Sequence, residues 1–153
     1  MNIFSFDRKL IAVLKYHNDS IARVGLFVIF FWFGLLKVLR LSPATPLVRT
    51  LYERLFCTPA GFDNFLIFFG IFEVIIGLLF LIKGWERVVL PLLALHMITT
   101  VLPLIFLPSL AWTGIFIPTL EGQYIIKNLA LIAAAVSVGA HLHELKKVWA
   151  SIK

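Results

Sequence analysis

A carboxylate at position 73 lies at the centre of an apolar run, Phe62 to Ile82, that is long enough to cross a bilayer. An ionisable group at that depth costs several kcal/mol unless a partner or a proton neutralises it, so it marks a functional site by default. Lys37, His96 and Lys127 occupy similarly awkward places in the other three apolar runs. A carboxylate, two amines and an imidazole can hold or exchange a proton, bind an anion, or receive the polar head group of a redox-active molecule. The same groups can also pair only to fix helix register. Residue type alone leaves both readings open.

Helical rise converts these positions into depths, at about 1.5 Å per residue. Glu73 is ten residues from Asp63 on one side and ten from Lys83 on the other, which places it about 15 Å from each edge. His96, eleven residues before Leu107, falls at about the same level. Lys37 follows Arg23 by 14 residues and Lys127 precedes His141 by 14, so both α-carbons are expected about 6 Å beyond the carboxylate, toward the outer side. A lysine stem spans that distance.

The faces agree with the depths. Gly70 and Gly77 put Glu73 on a glycine strip where neighbouring helices can approach closely, and Gly34 stands beside Lys37. Thr99 and Thr100 follow His96 by three and four residues, and Pro103 has no N–H to offer the Thr99 carbonyl. Gln123 precedes Lys127 by four, and Asn128 adjoins it. The expected buried polar site is Lys37, Glu73, His96, Thr99, Thr100, Lys127 and Asn128, with Gly34, Gly70 and Gly77 as helix-packing glycines.

These groups must be positioned by membrane-spanning helices. With 61% hydrophobic and 14% charged residues and a mean hydropathy of +0.99, the chain departs from any ordinary water-soluble domain. Four stretches are near the roughly 20 residues needed to span: Ile21 to Leu39, Phe62 to Ile82, Val88 to Leu107 and Tyr124 to Ala140. The expectation is an all-α membrane protein, a four-transmembrane-helix bundle forming a single domain over residues 1–153.

Residues 1–20 lack the continuous apolar core and cleavage site of a signal peptide, so nothing is expected to be removed. Ile3, Phe6, Leu10 and Val13 follow helical spacing while Arg8, Lys9 and Lys15 lie off that line, the pattern of an amphipathic helix in the headgroup plane. Asn18, Asp19 and Ser20 are capping types that should end it. A second interfacial helix is expected over 141–153, with Leu142, Leu145, Trp149 and Ile152 opposite Lys146, Lys147 and Lys153. Between spans one and two, Leu47, Leu51 and Leu55 recur every four residues between prolines, which predicts a short helix on the outer face.

Positive charge concentrates before span one, between spans two and three, and after span four. The positive-inside rule then puts both termini in the cytoplasm. Topology and anionic lipid account for the net charge of +6, and nucleic acid is not an expected partner. Cys57 is the only cysteine, which excludes a Cys-x-x-Cys relay within one chain. No second histidine lies level with His96 on a facing span for bis-histidine haem, and the buried ligands are too few for structural zinc. No metal is expected, and no cofactor bound by this chain alone; a quinone or another organic group would have to be shared with or supplied by a partner.

The chain also resembles a known superfamily. Trp32-Phe33-Gly34-Leu35-Leu36-Lys37 in span one, Phe72-Glu73-Val74-Ile75-Ile76-Gly77 in span two, Thr99-Thr100 in span three, and Leu120 through Asn128 opening span four are similar to the DoxX-like four-helix membrane proteins. The resemblance covers roughly Ile21 to Ala140, in order. It is nearest the YkgB type, the branch that includes reactive chlorine resistance protein C of bacteria. Two departures are visible: Val101-Leu102 separates the threonine pair from Pro103, and Asn128 stands where an acidic residue is common. The resemblance implies a multi-pass protein of the bacterial inner membrane and, from some members, association with oxidoreductases or resistance to oxidants.

The leading expectation is therefore an accessory protein in redox or oxidant-stress physiology, at most a subunit of or partner to a membrane oxidoreductase, with no self-contained catalytic motif. The alternatives are a small proton-coupled transporter acting as a homodimer or larger homo-oligomer, and a purely structural or assembly subunit.

Overall fold

The computed structural model describes residues 3–140 of the chain. Four of its helices are long and apolar enough to cross a membrane: α1 (Ile3–Val38), α3 (Phe62–Leu81), α4 (Glu86–Phe106) and α6 (Leu120–Gly139). Their apolar flanks, left bare by the bundle, match a lipid environment. The chain is an all-α, multi-pass membrane protein. The expected span boundaries at 62–82, 88–107 and 124–140 shift by a few residues, as frayed helix ends do.

The first span departs most from expectation. α1 runs without a break through Asn18, Asp19 and Ser20, so no separate surface helix covers 1–20 among the described residues. The side chains that should have capped a new helix are engaged elsewhere. Asn18 Nδ2 donates to Ser137 Oγ of α6 at 3.1 Å, and Asp19 Oδ2 accepts from Arg23 Nε at 2.8 Å. The interfacial helix expected over 141–153 lies outside the described residues.

α1 ends in a Schellman motif. Leu41 N–H donates to Leu36 O at 2.8 Å and Arg40 N–H to Lys37 O at 3.0 Å, with Arg40 at φ 59° in the left-handed position that glycine usually fills. Next comes α2 (Thr45–Phe56), a short amphipathic helix between prolines with no fully buried residue. It rests on α3 through Tyr52, whose ring meets Phe62 and Phe65 at 5.6 and 5.0 Å. The connection from α4 to α6 folds into α5 (Pro108–Ala111) and a small antiparallel pair, β1 (Trp112–Gly114) with β2 (Ile117–Pro118). Thr119 caps α6 by accepting from Gly122 N–H at 3.1 Å.

The core follows from helical periodicity. On α1 the inward stripe is Arg23, Leu26, Phe30, Gly34 and Lys37; on α3 it is Leu66, Gly70, Glu73, Ile76 and Phe80; on α4 it is Glu86, Val89, Leu93 and His96. Ala135 and Val138 close the core from α6. Each stripe advances by three or four residues, one face of an α-helix. α1 and α3 make the closest pair, because Gly34 and Gly70 meet across it: a Cβ built on Gly70 would fall 2.7 Å from Gly34 O and 2.9 Å from Lys37 Cβ. Gly77 meets the α1 backbone at Phe31 in the same way.

Candidate functional site

The Gly34–Gly70 contact sets the geometry of the site. It brings the α1 stripe so near α3 that Lys37, one turn beyond Gly34, reaches Glu73, one turn beyond Gly70. Lys37 Nζ donates to Glu73 Oε2 at 2.6 Å. The second carboxylate oxygen, Oε1, lies 3.3 Å from His96 Nε2 on α4. Three helices thus each supply one polar group to a single point, and all three groups are buried, with 6%, 4% and 3% of Lys37, Glu73 and His96 exposed.

The surroundings are aromatic. Phe69 stacks on the His96 ring at 5.1 Å, Phe30 meets its edge at 5.5 Å, and Phe72 lies at 6.1 Å. Lys37 Nζ is 5.7 Å from the Phe69 ring centre, within range of a cation–π attraction. His96 Nδ1 is buried and has no hydrogen-bond partner. In the tautomer that carries its proton on Nε2, the ring faces that N–H toward the carboxylate and leaves Nδ1 as an acceptor inside a shell of phenyl rings. Such a group can take a proton or a hydrogen bond from a small molecule that reaches it.

The other expected members do not join. Lys127 is exposed on α6, its Nζ 4.8 Å from the ring centre of Tyr124 on the same helix. Helical geometry explains the miss: buried Ile125 fixes the inward face of α6, and a residue two positions later points nearly the opposite way. Gln123 and Lys127 do share a face, but it is the outer one. Asn128 is half-buried and makes no side-chain hydrogen bond among the described residues. The hydroxyls of Thr99 and Thr100 turn back on their own helix, donating to His96 O at 2.7 Å and Met97 O at 2.9 Å. They satisfy α4 rather than the carboxylate.

A second buried ion cluster lies further back along α1, centred on Arg23, and sequence reasoning missed it. Arg23 bonds Asp19 through Nε, bonds Glu86 Oε1 through Nη2, and donates from Nη1 to Phe80 O at 3.3 Å. Glu86 Oε1 also accepts from Gly84 N–H at 3.1 Å. The cluster ties the turn between α3 and α4 to α1. Arg23 reads in sequence as a flanking topology charge, and Glu86 has no expected role. The available signal was that Arg23 precedes Leu26 and Phe30 by three and seven residues, on the buried face.

Among the described residues no group of three or more histidine, cysteine or carboxylate side chains could hold a metal ion. Cys57 is exposed. Comparisons with protein-family models, curated proteins and solved structures find no match to this chain.

Proposed function

We propose that this chain is a DoxX-like accessory protein of the bacterial inner membrane, with both termini cytoplasmic, acting in redox or oxidant-stress physiology through Lys37, Glu73 and His96. One observation carries the reading: a single carboxylate, buried within the spans, is shared between an ammonium at 2.6 Å and an imidazole at 3.3 Å. A site built only to hold two helices together needs one cation. Adding an imidazole with a free second nitrogen supplies a group that can change its proton count while the carboxylate remains paired. Lys127 has no part in this site. The link to oxidants comes from the motif resemblance, and the chemistry from the three side chains. Partners supported by the same reading are a membrane oxidoreductase or a second copy of the chain.

The test is complementation. A strain lacking the gene is challenged with hypochlorite or peroxide, then supplied with the parent chain or with Glu73→Gln at equal membrane abundance. The parent chain should restore survival and Glu73→Gln should not. Equal survival of the deletion and parent strains would overturn the proposal.

A second reading, helix registration alone, is favoured by the placement of the ion pair one turn from the Gly34–Gly70 contact. Replacing Lys37 with Met and Glu73 with Leu together separates the two. Registration predicts that the double variant still complements; chemistry at the site predicts that it does not.

A further inference from the structure

Arg40 occupies a backbone position that glycine fills at lower strain, and its guanidinium has no ion-pair partner among the described residues. It faces an open cleft of about 350 Å³ between the end of α1, α2 and the start of α3. Arg49 of α2 lines the same cleft, with Asp63 and Asn64 of α3 opposite. Arg49 is held from two sides: Nη2 lies 3.6 Å from Asp63 Oδ1, Nη1 lies 3.9 Å from Glu53 Oε1, and its guanidinium sits 4.1 Å from the Phe62 ring centre. Neither carboxylate is within hydrogen-bond distance, so the Arg49 N–H groups are oriented but unsatisfied by them. Two guanidinium forks and a side-chain amide around one cavity match the planar, multi-oxygen shape of phosphate or carboxylate groups.

We infer that this cleft binds a small oxyanion, a phosphate or carboxylate group, between Arg40 at the end of α1 and Arg49 of α2. Binding at the cleft stands on the two arginines alone. Its connection to the interior rests on the reading of Lys37, Glu73 and His96 as the working site. On that reading the cleft gathers an anion on the side of the bundle where Lys37 enters the core.

Inorganic phosphate is the probe. The full chain in phosphatidylcholine nanodiscs should bind radiolabelled phosphate saturably at low salt, by scintillation proximity. Arg40→Gln and Arg49→Gln should each weaken binding about tenfold, the size of one lost charge-assisted hydrogen bond. Lys127→Gln, which removes an exposed charge elsewhere, should leave it unchanged. Exchanging part of the lipid for phosphatidylglycerol identifies the source: competition with phosphate assigns the cleft to lipid head groups, and unchanged binding assigns it to a soluble anion. Both arginines are at the surface, so the variants should fold, which far-ultraviolet circular dichroism checks. No saturable phosphate binding by the parent chain, or binding that Arg40→Gln leaves intact, would overturn the inference. If Glu73→Gln instead complements while the cleft binds phosphate, the cleft stands and the working-site reading fails.

Discussion

Alanine at position 34 tests how α1 and α3 are held together. A Cβ there would lie 2.6 Å from Gly70 O, 2.8 Å from Val74 N and 2.9 Å from Glu73 Cβ. Two of these atoms belong to helical backbone and cannot rotate aside, so the helices must separate by roughly 0.8 Å to restore an ordinary 3.4 Å contact. Overpacking of this kind costs about 1–3 kcal/mol. Better helix propensity returns up to about 1 kcal/mol. With the full propensity gain set against it, the net expectation for Gly34→Ala is a loss of up to about 2 kcal/mol. Gly25, nine residues earlier on the same helix, has nothing within 4 Å of its built Cβ, so Gly25→Ala keeps only the propensity gain. The same chemical change should therefore have opposite signs at two positions of one helix. Reversible unfolding in mixed micelles, followed by circular dichroism across an SDS titration, measures both. If Gly34→Ala is as stable as Gly25→Ala, the backbone contact that sets the Lys37–Glu73 geometry is not the one described.

Two further predictions concern the buried charges. Lys37→Met strands the Glu73 carboxylate and should cost about 3–5 kcal/mol, whereas Lys37→Met with Glu73→Leu should recover most of that loss; Lys127→Met should stay within about 0.5 kcal/mol, and strictly additive single and double variants in the same titration would contradict the pairing. At the second cluster, Glu86→Gln should loosen the turn that Arg23 pins to α1, at a cost of about 3 kcal/mol. Hydrogen exchange read by mass spectrometry should then accelerate over Ile82 to Trp85, and an unchanged turn would show that the cluster does not hold it.

Much of this arrangement could be read from residue spacing. Four spans follow from hydropathy because lipid requires continuous apolar helix, and the Glu73 depth followed from counting residues at a fixed rise. Lys37 and His96 were recoverable for the same reason: each lies at the right level and on the stripe that carries Phe30 or Leu93. Lys127 shows where counting fails. Depth is a one-dimensional quantity, and α6 turns that residue outward; only the burial of Ile125 and Val138 fixes its rotation. The unbroken α1 is a failure of a different kind. Asn18 and Asp19 have capping side chains, but partners on α6 and on α1 itself claim them, and tertiary hydrogen bonds override a local signal. The Arg23–Glu86 cluster was legible only from the Arg23 side, because its acid sits at the first position of a helix, next to a turn, where charge is unremarkable.

The two buried ion clusters constrain what the bundle can do. Arg23 and Lys37 lie on one stripe of α1, 14 residues and so about 21 Å apart. Leu26, Phe30, Ile76, Phe80, Leu93 and Met97 belong to the single core cluster that fills the bundle between them. An ion moving from Glu73 toward Arg23 would leave Lys37 and His96 and enter packed hydrocarbon, where an uncompensated charge costs several kcal/mol. A proton-coupled transporter would have to open that layer in every cycle. A site that exchanges a proton or meets a polar head group from one side does not, and the arginine cleft lies at the end of α1 from which Lys37 enters. Exchanging Leu26 for Ser distinguishes the two: it places a hydroxyl in the layer and should leave one-sided function intact apart from a packing loss of about 2–5 kcal/mol, whereas a through-path would gain proton leak across proteoliposomes.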